Sequence, residues 1–162
     1  MKRIFKYMES VLNVIMAVLF MGMTVLIAIN VTSRYIFHSP ITWAEELVRY
    51  MFIWSVMTGA VAAMAKNKHL NVDILSEKFS TKGKLIQDTI IRIVVCAYFI
   101  CLAIGGWTVI AQVYIQLSAT LRISMAIPYS AIGICAVIMA IQEIYFVVMN
   151  VRKLRGKEEV NV

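Results

Sequence analysis

Charge is what this sequence has least of. Asp, Glu, Lys and Arg make up 15% of its 162 residues, against about a quarter in a soluble domain. Apolar residues make up 61%, and they gather into long uncharged runs. A spanning helix needs roughly 20 mostly apolar residues. Runs of that kind fill nearly the whole chain and leave no room for a soluble domain. Cysteine is sparse as well. Cys96, Cys101 and Cys135 all lie inside apolar runs without C-x-x-C or metal-ligand spacing, so they read as packing thiols. The two histidines, His38 and His69, fall at the ends of runs, which leaves a haem between spans without ligands. There is no phosphate loop, no zinc motif and no nucleophile beside a base. Neither an enzyme nor a bound cofactor is expected.

What is present is hydrocarbon-length sequence. The mean hydropathy is +0.80. The first uncharged run covers residues 10–33 and stops at Arg34. It follows Lys2, Arg3 and Lys6, as a signal peptide would, but exceeds an h-region of about 7–15 residues and has no small-x-small cleavage site. The second run, 50–65, has only 16 residues. It lengthens to 43–65 once Thr42 is read as an N-cap with Glu45 closing a capping box, Pro40 suiting an extended approach. The third run, 93–121, has 29 residues and turns polar at Gln112, Gln116 and Ser118, where the helix should leave the hydrocarbon. The fourth is expected to start at Pro128, a residue suited to the first helical position. The pattern therefore predicts an all-α integral membrane protein with a single membrane domain over 1–162. Its four transmembrane helices are placed at about 10–34, 43–65, 92–115 and 128–149.

Between the second and third spans, Val72, Leu75 and Phe79 recur beside Asp73, Glu77 and Lys78, which suggests a short interfacial helix. A new helix should begin near Lys82. Lys and Arg set the orientation. Three precede the first span, six lie in 66–92 and four follow from Arg152, whereas the other two connections hold only Arg34, Arg49 and Arg122. Thirteen against three puts both termini and the middle segment on the cytoplasmic side, by the positive-inside rule. That placement also removes the nucleic-acid reading that a net charge of +7 invites. The basic residues edge the apolar runs, as a membrane-lipid partner requires.

An ionisable group in a span is costly and is a functional candidate by default. Arg34 closes the first span, and Glu45, Glu46 and Arg49 open the second. Glu45 and Arg49, four apart, can pair along one face, and Glu46 can reach Arg34, bracing the two spans. Glu143 lies about 22 Å along span four by helical rise, near the inner interface, where Arg92 at the foot of span three is its natural partner. Gly22, Gly59, Gly105, Gly106 and Gly133 suit close helix packing. Trp43, Trp54 and Trp107 are partner-interface candidates or headgroup anchors.

Two stretches carry a family likeness. Asn30-Val31-Thr32-Ser33-Arg34-Tyr35-Ile36-Phe37 and Trp43-Ala44-Glu45-Glu46-Leu47-Val48-Arg49 resemble the start of the small permease subunits of TRAP transporters, the DctQ-like family. The likeness continues through Trp54, Gly59-Ala60 and Lys68-His69-Leu70-Asn71-Val72-Asp73. His69 and Asp73 there match the family's His-hydrophobic-x-Val-Asp motif. Residues 118–128 resemble the segment before the last span, although the usual Pro after Ser118 is absent.

The resemblance implies a bacterial inner-membrane subunit paired with a large multi-span permease that carries the substrate and sodium sites. It also implies a periplasmic binding protein that delivers an organic acid such as a C4-dicarboxylate, a sialic acid or a sugar acid. The small subunit would then be scaffold for sodium-coupled uptake. The alternative is a self-sufficient four-helix exporter working as a homodimer. That class needs a membrane-embedded carboxylate early in the chain, and span one has none.

Overall fold

The computed structural model describes residues 2–65 and 81–154. It is helical: α1 (Lys2–Ile36), α2 (Thr42–Ala65), α3 (Thr81–Val113) and α4 (Ala126–Leu154). Each contains a stretch long and apolar enough to cross a bilayer: Ser10–Ile36, Thr42–Ala65, Gly83–Val113 and Ala126–Arg152. α1 starts well before its expected span and runs on unbroken, whereas α3 opens at Thr81, beside the Lys82 where a helix was expected to begin. The interfacial segment around Val72, Leu75 and Phe79, together with His69 and Asp73, lies outside the described residues.

Two start signals work differently from the sequence expectation. The capping box at Thr42 and Glu45 does not close. Thr42 is already helical, and Asn30 of α1 accepts the Ile41 N–H at 3.0 Å. The Glu45 carboxylate turns to Arg34 instead, since a cation is a stronger partner than a neutral amide. α4 begins at Ala126, two residues ahead of Pro128. Ser124 caps it, its Oγ accepting the Ala126 N–H at 3.2 Å. Pro128 sits within the first turn, where its missing N–H leaves no helical bond unmade.

Extensive packing joins α1 to α2, α2 to α4 and α4 to α3. The helices therefore follow the order α1, α2, α4, α3, an open row in which α2 and α4 are central. In the 18-residue apolar stretch of α1 only 11% is buried within the chain, against 39% in that of α4, so the outer helices leave most of their apolar surface for lipid or a partner. Val61, Met64, Cys135 and Met139 form the buried cluster between the central helices. Leu12 of α1 and Phe99 of α3 reach it from either side.

The α3–α4 contact is set by two glycines. A Cβ on Gly106 would stand 3.0 Å from the Gly133 Cα and 3.1 Å from its N, backbone atoms that cannot swing aside. In lipid, where packing rather than hydrophobicity holds helices together, such close approach is a main source of association. The neighbouring Gly105 faces open space. Gly106→Val should therefore destabilise the folded chain in detergent by roughly 1–3 kcal/mol, read from an SDS unfolding titration. Gly105→Ala should stay within about 0.5 kcal/mol of the parent.

Candidate functional site

Polar side chains gather at the two ends of the helices. At the end carrying the connections 37–41 and 114–125, α2 places two adjacent carboxylates on different sides. Successive helical residues turn by about 100°, and α2 lies between α1 and α4, so Glu45 faces α1 and Glu46 faces the α3–α4 connection. Glu45 forms a salt bridge with Arg34 and accepts a long bond from Asn30 Nδ2 at 3.5 Å. Both charged side chains are more than half exposed, so the pair contributes at most about 1 kcal/mol. Its partners differ from the expected ones. Glu46 does not reach Arg34, and Glu45 does not pair with Arg49, because Arg34 arrives on the α1 side and draws Glu45.

Glu46 holds a loop. One of its oxygens accepts the backbone N–H groups of Thr120 and Leu121, both at 3.0 Å, and the other accepts the Tyr50 hydroxyl. The loop has its own frame. Leu117 and Ser124 form an antiparallel bridge, the Ser118 N–H donates to the Ile123 carbonyl at 2.8 Å, and the Met125 N–H donates to that of Gln116 at 2.9 Å. Arg122 takes a left-handed φ of 56° at the bend. Asn30 and Tyr50 were missed from sequence, although each sits four residues from a flagged charge, Arg34 and Glu46, and so shares its helix face. Arg49 is exposed and has no ion pair or side-chain hydrogen bond among the described residues.

At the other end of the helices, α3 and α4 share a buried charge cluster. Arg92 donates from Nε to Asp88 at 2.9 Å and from a terminal nitrogen to Glu143 at 3.4 Å. Its guanidinium carbon lies 4.8 Å from the centre of the Phe146 ring, and Asn150 donates to Asp88 at 2.6 Å. Glu143, Phe146 and Asn150 share one face of α4 through steps of three and four. The Arg92 and Glu143 side chains are only 7% and 3% exposed, and the buried guanidinium is shared between Glu143 and Asp88. Trp43 and Trp107 are exposed, Trp54 half-buried, and none joins either cluster.

The sequence model of the family described as "Tripartite ATP-independent periplasmic transporters, DctQ component" matches residues 23–153. This chain belongs to the DctQ family. The match takes in both polar clusters and reaches into all four helices. A TRAP transporter small permease protein of Haemophilus influenzae is 32% identical over 109 residues, 66% of each chain. The C4-dicarboxylate TRAP transporter small permease protein DctQ of Vibrio cholerae is 30% identical over 105 residues, 65% of this chain and 45% of that one. The sialic acid TRAP transporter permease protein SiaT of H. influenzae is 28% identical over 97 residues, which make up 60% of this chain but 15% of SiaT. The aligned stretches thus span from just under two thirds to about a seventh of these relatives.

Within this DctQ-family chain the two clusters differ in what they predict. Arg92→Ala removes the cation that Asp88 and Glu143 both face and should cost about 3–5 kcal/mol in the same SDS titration. Adding Glu143→Gln should recover part of that loss, because coupled neighbours are not additive. Glu46→Ala leaves two amides without their acceptor. Hydrogen exchange at Thr120 and Leu121 should then speed up by about tenfold or more, while exchange in the centre of α4 stays unchanged.

Proposed function

We propose that this chain is the small, non-conducting membrane subunit of a tripartite transporter that takes up an organic acid. It enlarges the fixed scaffold around a large permease subunit, which carries the substrate and sodium sites. The family match across all four helices is the observation that carries the reading. Two features support it. The charges within the helices are answered within the chain, which suits a support rather than a conducting path. The lightly buried α1 and α3 leave broad apolar faces for a larger partner. SiaT adds to this, since the matching stretch is a minor part of a protein named as a permease.

On this reading the helix ends that carry the termini face the cytoplasm, by the Lys and Arg asymmetry, and the Glu46-held loop faces the periplasm. A periplasmic binding protein delivers the substrate there. The related proteins are named for sialic acid and for C4-dicarboxylates, so a carboxylated substrate is the class expected, with selectivity residing in the partners. The chain itself needs no cofactor and performs no catalysis. The exporter alternative needs a membrane-embedded carboxylate early in the chain, and the first span has none.

Co-expression with a large permease subunit and a binding protein tests the proposal. The tagged full chain should co-elute with the large subunit, and sodium-driven uptake into proteoliposomes should require both. A homodimer that transports alone would overturn it. Cysteines introduced at His38 and Thr120 should react with an impermeant maleimide from the periplasmic side.

A further inference from the structure

Arg49 presents a physical problem that the fold leaves unsolved. It lies seven residues into α2, about 10 Å along the helix by its rise, in a segment that crosses the bilayer. A cation at that depth is costly unless it meets an anion or reaches the interface. Both nearby carboxylates are committed elsewhere, Glu45 to Arg34 and Glu46 to the 114–125 loop. Arg49 is exposed and unpaired among the described residues.

Beside it runs a trough between α1 and α2. Its upper part, about 320 Å³, lies against Asn30, Arg34 and Glu45. Its lower part, about 460 Å³, is lined by Phe20, Met23, Val48, Arg49 and Phe52 among others. Ile27, Glu45 and Val48 line both parts, so the two are adjacent. Phe20 and Phe52 at the lower end are 64% and 58% exposed. The site thus joins an unpaired cation to an open groove whose far end is apolar.

We propose that this trough binds one membrane phospholipid, with its phosphate on Arg49 and an acyl chain lying past Val48 between Phe20 and Phe52. A guanidinium fork matches phosphate oxygens in two places. Its aliphatic stem lets it rise from the helix to the phosphate layer. A carboxylate from a protein partner would answer the charge but leave the channel beside it empty. An amphipathic lipid fills both. The inference needs only that the helices span a bilayer, so it stands or falls apart from the scaffold reading.

The test is native mass spectrometry of the full chain in detergent. It is titrated with palmitoyl-oleoyl phosphatidylethanolamine and with the diacylglycerol of the same chains, which lacks the phosphate. The parent should retain one phosphatidylethanolamine and bind the diacylglycerol about tenfold more weakly, the scale of one charge-assisted hydrogen bond. Arg49→Gln should weaken the phospholipid by a similar factor. Arg49→Lys, which keeps the charge but not the fork, should recover only part of it, Arg152→Gln should change nothing, and Val48→Trp, which fills the channel, should abolish retention. Equal binding of both lipids, or unchanged binding by Arg49→Gln, would overturn the proposal. So would a complex with the large subunit that carries no lipid and in which Phe52→Cys cross-links to that subunit.

Discussion

In hydrocarbon a carboxylate or guanidinium has no water to bond to, so each charge in a spanning helix must be answered by another helix or carried to the surface. The Arg92–Glu143 pair shows how this constraint shapes the chain. Alone, either residue would oppose insertion of its helix. Together, with Asp88, Asn150 and the Phe146 ring, they cross as a matched set and fix how α3 and α4 sit side by side. The glycine contact at Gly106 and Gly133 sets the distance between the same two helices farther along. One pair of helices is thus held by charge near one end and by close backbone approach toward the other.

The opposite end obeys the same constraint with different means. Glu45 and Glu46 are neighbours in sequence but serve separate connections, because α2 has a helix on each side. Glu45 ties α2 to α1 through Arg34 and Asn30. Glu46 ties α2 to the α3–α4 loop through two backbone amides. A single turn of helix therefore holds three parts of the chain in register. The loop contacts of Glu46 matter most, since the loop has no regular element to satisfy those amides otherwise.

Much of this was readable before any coordinates. The apolar runs marked four spans because their length has few other uses, and Arg92 and Glu143 were matched because each lies near the same interface by helical rise. The loop-end partners were not readable. Glu45 and Glu46 are chemically identical, and choosing between them for Arg34 requires knowing which side of α2 meets α1. Periodicity cannot say this when a helix is apolar almost all round, as spanning helices are. Thr42 and Pro128 missed the helix starts for different reasons: a tertiary partner, Arg34, drew Glu45 away from the first, and a local cap two residues before Ala126, Ser124, set the second.

The sequence by itself determined that the chain spans a membrane four times and that its polar residues sit near the ends of those spans, since hydrocarbon thickness and desolvation cost act on composition alone. Its residues also carried the likeness to the DctQ family. Only the tertiary structure decided the order α1, α2, α4, α3, the division of labour between Glu45 and Glu46, and the placing of an unpaired Arg49 in the wall of the α1–α2 trough. These depend on which faces meet. In a chain with so few charges, helix adjacency is settled by packing of small and apolar side chains, whose pattern along the sequence is nearly uniform.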